Sequence, residues 1–304
     1  MNIKTSILSS ALFGLLLTAC NEQGDIQNQE QLPDMVPVTF YRMVPDIELQ
    51  TRAAGNQFET DDALGIFAVD SINSGSSRLM ATGNYADNVQ YLYDGSGFVC
   101  QGNPIMQFRD TPLLLTYYVV YPYRAGITPT FRFEAAADQS AHSSYTRSDL
   151  AMQKLTTTNL QVELQLQHLM SNVNIAVCGT DINTHSVQVA VTNVALAAWV
   201  NLNSEQAVAT DYVADQVQCE LYEQNSTEAM FHAIVAPQTL TQGNQAVVIT
   251  LDGVSTVFDL PASYQLRSNT QLSLVFDVIE DDGDIVIRYG GVEEEPQPVH
   301  ARRQ

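Results

Sequence analysis

Apolar and polar side chains alternate with a period of two along much of the chain. Val162, Leu164, Leu166, His168 and Met170 are interleaved with Glu163, Gln165 and Gln167, the pattern of a strand with one face buried. The same spacing recurs at Val187, Val189 and Val191, at Val247, Ile249 and Leu251, and at Leu272, Leu274, Phe276 and Val278. Two further stretches, Val36 to Val44 and Leu113 to Tyr121, are rich in β-branched and aromatic residues and are predicted as strands. Turn-forming clusters separate the runs: Asp94-Gly95-Ser96-Gly97, Thr180-Asp181-Ile182-Asn183 and Asp281-Asp282-Gly283-Asp284. The helical signal is poor. Many short strands divided by turns predict an all-β chain built as sandwiches or barrels.

The ends depart from this pattern. Lys4 precedes an apolar run from Ile7 to Leu17, and Leu17-Thr18-Ala19-Cys20 closes it with small residues before a cysteine. The run is too short to span a bilayer, so residues 1–19 are expected to be a secretory leader cut between Ala19 and Cys20, with Cys20 then acylated. A lipid-anchored protein of the outer membrane, held in the bilayer through Cys20, is the expectation. Residues 20–35 are polar and acidic and read as a flexible tether. A polar segment, Thr156-Thr157-Thr158-Asn159, separates a Tyr-rich half from a Val- and Leu-rich half. It divides the chain into expected sandwich domains at 36–158 and 159–292, ahead of a charged tail at 293–304.

Charge narrows the function. Thirty-four acidic side chains face 13 basic ones, a formal net charge of −21, which repels nucleic acid and anionic lipid. Beyond Lys4, Lys154 is the only lysine, so subunits cannot be linked repeatedly through lysine side chains. Cys100, Cys178 and Cys219 are an odd number at wide spacings, with neither a disulfide framework nor metal-ligand spacing. HExxH, G-x-S-x-G, Walker and dinucleotide motifs are absent, and the five histidines, His142, His168, His185, His232 and His300, are scattered. His168 reads as a core histidine bonded to a backbone carbonyl. Glu280 to Asp284 lacks the EF-hand spacing and reads as a solvated hairpin turn before Ile285 to Tyr289. Neither catalytic residues, a cofactor nor a metal is assigned.

Several segments, in order, resemble the fimbrillin family of Bacteroidales. They are Thr51-Arg52-Ala53 with Phe58, Asp62 and Leu64-Gly65-Ile66-Phe67; Tyr117-Tyr118 with Val120-Tyr121-Pro122-Tyr123; Ser148-Asp149-Leu150; Leu164 to Ser171; and Ala233 to Thr239. The resemblance covers about residues 36–290 and implies two tandem transthyretin-like β-sandwich domains in a surface pilus or adhesion subunit. It further implies assembly with other pilus subunits by strand exchange, after an Arg-specific protease cuts between Arg52 and Ala53 and removes the first strand. Arg42 is a second, weaker cleavage candidate. Asn172 stands where the family often has lysine, and the short charged stretch after Tyr289 departs from a C-terminal donor strand, which fits a tip, accessory or anchor subunit. A host or bacterial surface ligand completes the implied partners.

The rival expectation is a surface lipoprotein that binds glycan for nutrient uptake. It needs exposed aromatic platforms, and Trp199, the single tryptophan, sits in an apolar run from Val194 to Val200 that reads as core.

Overall fold

A computed structural model describes residues 34–42, 58–72, 75, 77–211, 213–281 and 284–292. These residues are almost entirely β, as the alternation requires; the α-helix among them, His142–Ser148, has only 7 residues.

The largest sheet has eight strands, in the order Gln161–Leu164, Thr39–Arg42, Phe98–Val99, Ala86–Tyr93, Ala63–Asp70, Leu115–Tyr121, Ala151–Thr157 and Gln167–His168. All neighbours run antiparallel except the first two, which are parallel. The central strands are buried on both faces, which explains why Leu113 to Tyr121 is a continuous apolar run. Leu64, Ile66, Leu115, Tyr117 and Val119 enter a small core on one side, with Val38, Phe40, Tyr91, Phe98, Val162 and Leu164. Phe67, Val69, Tyr118 and Val120, one residue out of phase, enter the main core on the other.

The main core continues between two further sheets. One has five strands, Glu220–Gln224, Glu228–Val235, Ser171–Cys178, Gln271–Asp281 and Asp284–Val292; the other has four, Val213–Gln218, Val187–Ala195, Gln245–Leu251 and Val254–Asp259. Val173, Ile175 and Phe276 from the first share one cluster with Val189, Val191 and Ile249 from the second, so the runs at Val187, Val247 and Leu272 place their apolar faces inward. The run from Val162 to Met170 is not one strand: it divides into Gln161–Leu164 and Gln167–His168 at opposite edges of the eight-stranded sheet, and Leu169 is buried beside Met170. Gln271–Asp281 and Asp284–Val292 pair antiparallel, with Asp281 opposite Asp284. A three-stranded sheet, Gln206–Ala209, Ala197–Asn201 and Thr130–Glu134, completes the layers.

Three strand pairings cross the division expected at Asn159. Gln161–Leu164 and Gln167–His168 add to the first sheet beside Thr39–Arg42 and Ala151–Thr157, while Thr130–Glu134 pairs with Ala197–Asn201. Long-range polar contacts reinforce the join. Asn203 accepts from the Leu79 N–H at 2.9 Å and from the Tyr118 hydroxyl at 3.1 Å, and returns its amide to the Leu79 carbonyl at 3.1 Å. Gln139, fully buried, takes the Ile234 N–H at 2.8 Å and donates to the Ile234 carbonyl at 2.8 Å. Such side chains replace backbone partners where loops cross the core.

Gly65 shows how tightly the first sheet is closed. A Cβ there would lie 2.3 Å from Asn88 Oδ1 and 3.3 Å from the Tyr123 ring. Asn88 cannot easily yield, because its amide donates to the Arg124 carbonyl at 2.8 Å.

Trp199 corrects its sequence reading. The chain switches sheets near Leu196, and from Ala198 onward burial alternates, so that Ala198 and Val200 are buried while Trp199 is 54 % exposed. An all-apolar stretch hides that alternation. His168 is a second correction: it is half-buried, and its Nδ1 meets the Asp149 carboxylate at 2.9 Å and not a backbone carbonyl.

Candidate assembly groove

Val38 and Phe40 follow the strand rule of alternation, with Thr39 and Tyr41 turned outward. Phe40 is 1 % exposed and stands edge-on to Tyr91 and Tyr117, with ring centroids 5.0 and 5.5 Å away at interplanar angles of 75° and 82°. Edge-to-face contacts of this kind add to the area the rings bury. Tyr91 is itself fixed, since its hydroxyl accepts from the Ile105 N–H at 2.9 Å. Burial pushes the Tyr91 phenol up to about 12, so it stays a neutral hydroxyl.

Main-chain pairing holds this segment on both sides. Met35–Pro37 pairs with Met106–Phe108, the Val38 N–H donates to the Ile105 carbonyl at 2.8 Å, and the Thr39 N–H donates to the Leu160 carbonyl at 2.9 Å. From there Thr39–Arg42 lies between Gln161–Leu164 and Phe98. The segment is thus an interior strand of the sheet, although it comes from near the start of the chain. If it left, two strand edges and the places of Val38 and Phe40 would open together.

The predicted site residues fall on both sides of this boundary. Ala19, Cys20, Arg52 and Ala53 lie outside the described residues. Arg42, the weaker cleavage candidate, ends the inserted strand; its guanidinium sits 5.9 Å from the Phe58 ring centroid, and burial lowers its pKa. Phe58 in turn packs edge-on against Phe98 at 4.8 Å and Tyr121 at 5.5 Å. The chain therefore re-enters the same aromatic wall at Phe58. The strand Asp284–Val292, with Ile285, Ile287 and Tyr289, pairs with Gln271–Asp281 of its own chain.

A second polar constellation was not legible in the sequence. Glu220, buried, binds His142 Nδ1 at 2.9 Å and His232 Nε2 at 2.8 Å, and the His232 ring is stacked between Tyr145 at 3.6 Å and Tyr222 at 4.3 Å. It joins the short helix to the five-stranded sheet. Among the described residues no group of three or more His, Cys, Asp or Glu is placed to hold a metal ion. No disulfide joins Cys100, Cys178 and Cys219; full burial pushes the Cys219 thiol up to about 12, which suits a packing role.

The sequence model of the fimbrillin-like family matches residues 51–288, and the chain belongs to that family. A candidate cell adhesion protein from Bacteroides ovatus superposes with a TM-score of 0.61 at 16% identity, over 86% of this chain and 98% of its own. A second, from Bacteroides uniformis, gives 0.58 at 16%, over 88% and 99%. At such identity the likeness is one of fold. Comparison with curated proteins finds no match. The family is one of pilus and adhesion proteins of the cell surface, structural in role.

Proposed function

We propose that this chain is a pilus or adhesion subunit that is exported as a lipoprotein and joins other subunits by donor-strand exchange. In this reading Cys20 carries the acyl chains that hold it on the outer membrane. An Arg-specific protease cuts between Arg52 and Ala53, and the segment bearing Val38 and Phe40 then leaves. A strand from the next subunit enters in its place, satisfying the ladder on both sides and presenting apolar side chains at the same two-residue spacing. The two halves act as tandem transthyretin-like sandwiches, and the subunit serves at a tip, as an accessory or at an anchor.

The observation that supports this reading most is the interior position of Thr39–Arg42. A segment from near the chain's start lies inside a sheet, second from its edge, with Phe40 held by Tyr91 and Tyr117. Non-covalent exchange also suits a chain with a single lysine beyond Lys4.

Mild trypsin treatment of the mature protein, followed by mass spectrometry and size-exclusion chromatography, tests it. Cutting after Arg52 with loss of the N-terminal piece, and capture of an added peptide or subunit in the vacated groove, is the expected result. A cut chain that keeps its first strand under all conditions and binds no replacement would overturn strand exchange. Replacing Cys20 with alanine is expected to release the protein from membranes, and retention would sink the anchoring claim.

A further inference from the structure

We propose that the outer face of the three-stranded sheet is a binding platform for a neutral saccharide, with Trp199 as the stacking surface. The proposal is independent of strand exchange and concerns a different face of the molecule.

Register places the residues. Trp199 lies directly opposite Val208 on one side and Arg132 on the other, and Asn201 lies opposite Gln206 and Thr130. Residues opposite one another share a face of the sheet. The inner face is core: Phe131, Phe133, Ala198, Val200 and Ala207 all belong to the buried cluster. The outer face therefore carries a row in which Trp199 is central, flanked by Val208, 63 % exposed, and by Arg132. Arg132 forms an ion pair with Glu134, two residues along the same face. Thr130 and Gln206 are exposed beside them.

The chemistry of this row suits a sugar ring. One face of a pyranose presents C–H groups that can lie against the indole, while its rim carries hydroxyls that need donors and acceptors. Strands are about 4.8 Å apart, so the rim of a ring seated on Trp199 reaches the Arg132 strand, where a guanidinium and a carboxylate offer both. Large aromatic side chains carrying apolar contact beside a few placed polar groups are what small-ligand sites use.

Charge and area choose among occupants. The cation on this face is already balanced by Glu134, and the chain carries a net charge of −21, so an anionic glycan is disfavoured and a neutral one is not. A stable protein partner needs about 800 Å² on each side. The exposed parts of Trp199 and Val208 fall well short of an apolar centre for such an interface.

Trp199 is the sole tryptophan, so its emission reports on this face alone. The full mature chain is titrated with α-mannan, mixed-linkage β-glucan and soluble starch, with hyaluronan as the anionic control, and the same polymers are used in affinity electrophoresis. At least one neutral polymer is expected to shift the emission saturably and retard migration, while hyaluronan does neither. Trp199→Ala should weaken retardation about tenfold with unchanged circular dichroism and thermal midpoint, and Trp199→Phe should keep most of the binding. No saturable response to any neutral polymer overturns the proposal. So does retardation that survives Trp199→Ala, or an emission shift that follows protein concentration alone, which would assign the face to contact with a second copy.

Discussion

Beneath the eight-stranded sheet, Val38 and Phe40 complete a core whose other members come from distant parts of the chain. At the edge of the five-stranded sheet, by contrast, Asp284–Val292 pairs antiparallel with Gln271–Asp281, the strand just before it in the chain. An inserted strand stabilises its core by packing, yet it has no short covalent link to any neighbour. In the strand-exchange reading it gives way to another strand with the same side-chain spacing, whereas Asp284–Val292 stays beside the strand it follows in the chain. One strand is thus tied to its sheet by pairing and packing alone, and the other also follows its partner directly in the chain.

The sharpest way to break this contrast is Phe40→Ala. Removing a ring caged by Tyr91 and Tyr117 is expected to cost about 3–5 kcal/mol, read from the denaturant midpoint; a loss under about 1 kcal/mol would show that the inserted strand is not integral to its core. Gly65→Ala comes next. The new methyl would meet Asn88 Oδ1, and the strain should cost about 1–3 kcal/mol, while an unchanged midpoint would mean that the Asn88 turn yields freely.

The pH response distinguishes the regions further. Burial disfavours the His168 imidazolium, but the hydrogen bond and charge of Asp149 outweigh it and raise its pKa. The pair therefore adds stability that is fully present below about 6.5, the ordinary histidine value, and is lost as pH rises through the higher folded value. His232, in the five-stranded sheet, is the reverse: burial lowers its pKa in spite of Glu220, with His142 opposing protonation and Asp149 assisting it. Its contribution is full above about 6.5 and falls as pH drops below that value. Thermal midpoints across this range should show His168→Gln losing the acid-side gain and His232→Gln losing the acid-side penalty. Identical profiles for both variants would remove the distinction. Smallest of all, Ile285→Ser, at an exposed position of Asp284–Val292, should change stability by no more than about 0.5 kcal/mol.

Much of this was legible from spacing. The runs at Val187, Val247 and Leu272 announced strands with one buried face, and Val36 to Val44 contains the strand that fills the groove. What spacing does not carry is partnership. Nothing local to Gln161 indicates that it runs parallel to Thr39, and nothing joins His142, Glu220 and His232 until the sheets are stacked. Trp199 was misread because Ala197, Ala198 and Val200 are also apolar, leaving no polar residue to mark which side of the strand faced water. Nothing local singles out Asn203 or Gln139, since an amide bonded to distant backbone has no signature in its neighbours.

The parallel pairing of Thr39–Arg42 with Gln161–Leu164 has a mechanical side. A pull along the inserted strand does not peel its ladder from one end; it slides one strand past the other, so the bonds bear the load together while Phe40 must be dragged out from between two rings. Resistance to tension then resides in the groove, and it would pass to whichever strand occupies it.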